Sequence, residues 1–251
     1  MIDCHAHLQD AAFEHDLDDV VREAKLRGVR GCVVVGEHPR EAAKIQDIVG
    51  KFAGWALAGL GLYPKYFSDS DIAEFDHALK KHGPWHCIGE VGLDRWIVQD
   101  EEERERQEFA FKHVIAAAIR EDLVLNVHSR SACRRAIEVL SEMGAKRVQM
   151  HAADAKASTI NLGIEAGYYF SIPLSILDSP QKQKLARLVP LQQLLLETDS
   201  PVLAPDRSSR NTPANLPLAL KALADIRGIA ASELEQILDD NARRLYRSFA
   251  F

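Results

Sequence analysis

Eight short apolar runs of β-type composition alternate with longer amphipathic segments along this chain, and few folds accept that rhythm. Strands are expected at residues 2–7, 31–35, 56–62, 86–92, 123–128, 147–151, 168–172 and 194–198. Between them the 3.6-residue pattern predicts helices at 14–27, 40–52, 72–82, 101–121, 132–143, 155–166 and 181–188, with two more at 216–227 and 232–248. Pro39 suits a first helical turn, Gly28 and Gly144 suit the position after a helix, and Ser232 with Glu235 reads as a capping box. Eight alternations without a linker or a composition break predict an α/β fold. The form expected is one (β/α)8 TIM-type barrel domain over residues 1–251, with an extra C-terminal helix. An open doubly wound sheet would carry a glycine-rich phosphate loop after its first strand, whereas Gly59-Leu60-Gly61 falls inside the third.

Composition narrows the function classes. With 251 residues, 47% of them hydrophobic and 27% charged, the chain can bury a full core. Its formal charge of −6 offers no broad attraction to polyanions, so nucleic acid would have to be held by local arginines or bound cations. The charge argues against a protein that coats duplexes. No apolar run approaches a membrane span, and a metal motif beginning at Asp3 leaves no room for a cleavable signal. Cys4, Cys32, Cys87 and Cys133 are far apart, and three fall in apolar runs where a thiol packs as a small hydrophobe. That usage fits a reducing cytoplasm, and no obligate protein partner is evident.

Six residues able to bind metal fall at or just past the ends of five expected strands: His5 and His7, Glu90, His128, His151 and Asp199. Parallel strands in a barrel converge at their carboxyl ends, so these groups can meet around one or two cations. Alternation in the first strand puts Asp3, His5 and His7 on one face and Ile2, Cys4 and Ala6 on the other. Glu90 sits between Gly89 and Gly92, where the backbone can bend, and its two oxygens can bridge two cations as one imidazole nitrogen cannot. Mixed imidazole and carboxylate donors suit Zn²⁺ and Mn²⁺, and Mg²⁺ less well. Of the remaining histidines, His38 follows the second strand on the same rim, where a helix-turn role is expected.

At this point the residues resemble the TatD family of amidohydrolase-like metal-dependent hydrolases. The matching words are Ile2-Asp3-Cys4-His5-Ala6-His7-Leu8, Ile88-Gly89-Glu90-Val91-Gly92-Leu93-Asp94, Arg104 with Gln107 and Phe111, Val127-His128-Ser129-Arg130 and Leu195-Leu196-Glu197-Thr198-Asp199-Ser200-Pro201. Asn211 with Pro213, and Asn241 with Leu245 and Tyr246, fit the closing segments, so the likeness covers the whole chain. It implies a metal-dependent deoxyribonuclease or related phosphoesterase acting on DNA or a small phosphoester, with two divalent ions (Zn, Mn or Mg). His5, His7, Glu90 and Asp199 would hold one ion, and Glu90, His128 and His151 the other. Glu90 and Asp199 would be the catalytic pair, with Asp199 the proton acceptor. The substrate loops depart from the family. Its His-Pro-His word is replaced by Tyr63-Pro64-Lys65, its His-Cys-Phe-Ser word by His151-Ala152-Ala153-Asp154, and its Asn-Glu-Pro word by Asn211-Thr212-Pro213.

A phosphate substrate needs donors and positive charge beside the metals. Arg130, Tyr63 and Lys65 are expected to supply them, together with Arg207 and Arg210 in the loop after the last strand. Arg95 and Trp96 could form a base-stacking platform with a neighbouring cation, or equally pack against the following helix. Two alternatives stand beside the nuclease: a lactonase, amidase or phosphotriesterase using the same metal site, and a barrel that keeps metal for stability and serves as a partner-binding module.

Overall fold

The computed structural model of the chain describes residues 1–206 and 208–249. Its strands are β1 (Ile2–Ala6), β2 (Gly31–Val35), β3 (Ala56–Leu62), β4 (Cys87–Gly92), β5 (Val124–His128), β6 (Val148–Met150), β7 (Tyr169–Ile172) and β8 (Leu194–Leu196). The helices are α1 (Leu17–Leu26), α2 (Ala42–Lys51), α3 (Asp69–Lys81), α4 (Glu101–Arg120), α5 (Cys133–Glu142), α6 (Ala157–Glu165), α7 (Pro180–Leu188), α8 (Leu216–Arg227) and α9 (Ala231–Tyr246). The strands pair in parallel in chain order, β1 through β8. Closure comes from an Ala6–Ser200 bridge, in which the His7 amide donates to Ser200 O at 2.7 Å and the Asp199 amide to His5 O at 2.9 Å. This is a (β/α)8 TIM-type barrel, and α9 is the additional helix.

The barrel separates two packed layers. Outward-facing Cys32, Val34, Ala58, Leu60, Ile88 and Leu125 meet the helices in the larger core. Inward-facing Val33, Val35, Leu57, Cys87, Val124 and Leu195 gather with Tyr246 and Phe249, so the C-terminal helix and its extension close the floor of the barrel. Polar side chains take the inward positions above that floor, and the metal-binding candidates lie at the mouth.

Two bulges aim the site. In β1 the register passes from Asp3 opposite Cys32 to Ala6 opposite Val34, so β1 carries one extra residue. Strict alternation from Asp3 to His7 therefore does not hold. Ile2 and Cys4 join the inward cluster, Asp3 turns to the Thr198 hydroxyl at 2.6 Å, and the bulge lets His5 and His7 also face the mouth. A matching extra residue between Ile88 and Val91 delivers Glu90 to the same place. Bulges of this kind commonly re-aim a side chain at a barrel rim.

Element ends differ from the sequence expectation for reasons of capping. Helix α3 begins three residues earlier than expected because Ser68 and Asp71 form a capping box. At the start of α9 the expected Ser232 box is replaced: Ala230 is the N-cap without a side-chain bond, and Glu235 instead receives the Met1 ammonium at 2.8 Å. Pro39 opens a 3-10 turn capped by the His38 imidazole, so His38 has the turn role expected of it.

Candidate metal centre

His5, His7, Glu90, His151 and Asp199 are all buried, with His128 half-buried beside them. His5 Nε2 and His7 Nε2 are 3.2 Å apart. Both face Glu90 Oε2, at 3.6 and 3.3 Å, and Asp199 Oδ1, at 3.5 Å each. On the other side Glu90 Oε1 faces His128 Nδ1 at 2.7 Å and His151 Nε2 at 3.8 Å, and Asp199 Oδ2 faces His151 Nε2 at 3.7 Å. The His5 and His151 rings stack with centroids 3.7 Å apart. Three triads have donor atoms within 4.8 Å of one another: His5, His7 and Glu90; Glu90, His128 and His151; and His5, His151 and Asp199.

Outer partners decide which ring nitrogen faces inward. Val35 O can only accept, so His7 donates from Nδ1 at 3.0 Å and turns its Nε2 lone pair to the cluster. His5 Nδ1 donates to Asn126 Oδ1 at 2.8 Å with the same result, since the Asn126 amide donates elsewhere, to Cys4 O and Tyr246 Oη. His151 Nδ1 is held by Glu197 Oε2 at 3.0 Å, and the other Glu197 oxygen accepts from the Ala152 amide. His128 is reversed: Asp94 Oδ2 holds its Nε2 at 2.9 Å, leaving Nδ1 for Glu90. A carboxylate or carbonyl behind each imidazole is the arrangement that orients histidine toward a metal.

The electrostatics agree with a cation site. Burial alone would drive the Glu90 carboxyl up, but the imidazoles of His128, His5 and His7 outweigh it and hold the group well below the usual range. Burial would discharge His151, yet the Glu197 and Asp199 carboxylates raise it to about 9. Asp199 is likewise lowered against burial, with His151 the main cause. Closely packed imidazoles and ionised carboxylates require positive charge between them, which divalent ions supply in place of protons. The donor set therefore fits a metal.

The six sequence-derived metal candidates all come together. Asp94, Asn126 and Glu197 were not singled out as site residues, and two of them carried a readable signal. Asn126 is a polar residue at an inward position of an apolar strand, and Glu197 precedes Asp199 by the two-residue period of a strand.

The substrate candidates divide. Tyr63 packs edge-on against His128, with ring centroids 5.0 Å apart, and burial pushes its phenol up so that it remains a hydrogen-bond donor. Lys65 lies over the Tyr63 and Tyr66 rings but pairs with Glu37 at 2.7 Å. Arg210 grips Asp16 with two nitrogens, at 2.9 and 2.6 Å, on the outer surface. Arg130 is exposed at the rim beyond His128, and Arg207 lies outside the described residues. In the altered loop after β6, the buried Lys182 of α7 donates to Ala152 O and to Ala153 O, the latter at 2.9 Å, fixing the turn that follows His151.

A profile of the family described as TatD related DNase matches residues 2–247. The chain is 38% identical to the human protein named deoxyribonuclease TATDN3 over 259 aligned positions, covering 98% of this chain and 94% of that one. It is 29% identical to the 3'-5' ssDNA/RNA exonuclease TatD of Pectobacterium parmentieri, covering 98% and 99%. Among solved structures it resembles the TatD homolog YJJV from Escherichia coli, with a TM-score of 0.89, 24% identity and 98% of each chain covered, a likeness of fold.

Proposed function

The chain belongs to the TatD related DNase family, and from that membership we propose a divalent-metal-dependent phosphodiesterase that cleaves DNA ends or single strands, with Glu90 bridging two cations. It is a hydrolase of phosphoester bonds. The observation that carries the two-cation reading is the split of one carboxylate: Glu90 Oε2 faces His5 and His7 while Oε1 faces His128 and His151. His5, His7, Glu90 and Asp199 would hold one ion, and Glu90, His128 and His151 the other. Zn²⁺ and Mn²⁺ suit these donors best. Bound there, the ions would supply Lewis acidity and positive charge to the phosphoryl oxygens.

The chain's own groups do the rest. Asp199 accepts the proton of the attacking water at a carboxylate oxygen. Tyr63 donates to the phosphate from the edge of His128, and Arg130 adds positive charge at the rim. Lys65 and Arg210 act from further out, because each is already paired with a carboxylate. The whole chain acts as one barrel domain. No helix among the described residues is long and apolar enough to cross a membrane, and four unpaired buried cysteines support a reducing cytoplasm. No obligate protein partner is assigned.

One feature favours the second chemistry. A cleft of about 520 Å³ beside the Asp199 loop is lined by Leu174, Leu177, Val202 and Leu203 together with the polar Asp178 and Ser209, and such a mixed surface suits an ester, lactone or phosphotriester. A panel of single-stranded DNA, a p-nitrophenyl phosphodiester and a lactone, each with Mg²⁺, Mn²⁺ and Zn²⁺, separates the readings. Turnover of the DNA and the diester is expected, and turnover of the lactone alone would overturn the phosphodiesterase.

A further inference from the structure

At the rim Arg130, given a phosphate-facing charge above, also stacks on Trp96, a side chain to which the metal chemistry gives no role. The Arg130 guanidinium carbon lies 3.7 Å from the centroid of the Trp96 ring, and Trp96 is 57% exposed. Both are tied to His128. Asp94 Oδ2 holds His128 Nε2, while Asp94 Oδ1 accepts from the Trp96 and Ile97 amides at 2.8 and 3.0 Å. Arg130 is two residues past His128, and its carbonyl accepts from the Arg95 amide at 3.0 Å. The stack is therefore fixed relative to the cluster through one carboxylate and one short turn. Arg130 also differs from the other candidate cations. Lys65 and Arg210 each pair with an acid, whereas among the described residues no carboxylate pairs with Arg130.

We propose that Trp96 and Arg130 form a stacking subsite for the nucleobase of the nucleotide whose phosphate sits at the cluster, a reading that rests on the phosphodiesterase assignment above. An indole capped by a planar guanidinium is a π surface carrying positive charge, and a base extends such a stack without sequence preference. A base still paired in a duplex cannot enter it, so the subsite selects unpaired nucleotides.

The test compares thymidine 5′-monophosphate with 2-deoxyribose 5-phosphate, which differ by the base, on the metal-loaded full-length protein. Calorimetry should show the nucleotide binding about 5- to 150-fold more tightly. It should also quench tryptophan emission at Trp96, because Trp55 and Trp85 are buried. Trp96→Ala should abolish the preference, and Trp96→Phe should keep most of it. Equal affinities in the parent protein, or an unchanged preference in Trp96→Ala, would overturn the subsite. Cleavage of oligothymidylate is followed in parallel. Cleavage together with equal affinities for the nucleotide and the baseless sugar phosphate overturns the subsite and leaves the phosphodiesterase standing, while no cleavage with any of the three metals overturns the phosphodiesterase itself.

Discussion

Each imidazole of the candidate metal centre is aimed by a partner behind it, and Asp94 joins two parts of the rim. It holds His128 through one oxygen and the Trp96 turn through the other. Replacing Asp94 with Asn keeps its size and removes its charge, so metal affinity or turnover should fall about 10- to 100-fold. Competition with a chromogenic chelator and kcat/KM measured on the same preparation check this, and an unchanged affinity would remove Asp94 from that role. The clustered residues were legible because Glu90, His128, His151 and Asp199 close apolar runs and His5 and His7 are spaced by the period of a strand. Their supporting residues were less so. Asp94 is joined to His128 only by folding, across 34 positions of sequence, and no periodicity links them. The surroundings of the substrate candidates were least legible: whether a lysine or arginine is free depends on neighbours such as Glu37 and Asp16 that come from other loops.

Strand cores and helix order follow from apolar periodicity, and β2, β3 and α8 match the expected limits to the residue. The bulges in β1 and β4 do not follow from it, because an extra residue is visible only when a strand is set against its partner. They cost the simple alternation rule yet bring His5 and Glu90 inward. At the β4–β5 edge Gly92 has φ +146° and a Cβ there would lie 2.0 Å from His128 O, so close approach of the two strands requires glycine. Helix α9 reaches the site from below. Tyr246 Oη donates to Gln149 Oε1 at 2.6 Å and accepts from Asn126, the residue that orients His5. Tyr246→Phe leaves Gln149 Oε1 unpaired in the barrel and should cost about 1–3 kcal/mol in urea unfolding. Helices α4 and α5 are joined by Arg135, which grips Glu108 at 2.7 and 2.8 Å. That guanidinium lowers the Glu108 carboxyl to about 2 from a reference of 4.5. Its folded value is depressed, so the stabilisation is complete above the unfolded value and is lost as pH falls from about 4.5 toward about 2. Glu108→Gln should flatten that part of the acid stability curve by up to about 1 kcal/mol, since the pair is partly exposed.

Barrel closure and site assembly are the same event. The backbone bonds that join β8 to β1 come from Asp199 and His7, so ligands at opposite ends of the sequence meet only when the sheet closes. Under the proposed function, a chain of formal charge −6 would present its substrate with positive charge locally, at the cations and at Arg130. The sequence rhythm foretold the closed barrel, but the tightness of the junction rests on the turn after β8. There Asn211 donates to Thr198 O at 2.7 Å and to Val202 O at 2.9 Å and holds the Asp199 loop against the mouth. At that closed rim Glu90 is proposed to join two cations. Divalent-metal content per chain, measured by mass spectrometry after loading with Zn²⁺ or Mn²⁺ and exhaustive dialysis, tests it most directly. About two ions are expected in the parent protein and no more than one in a folded Glu90→Gln variant; a parent that retains one or none, or a variant that retains two, would overturn the two-cation site.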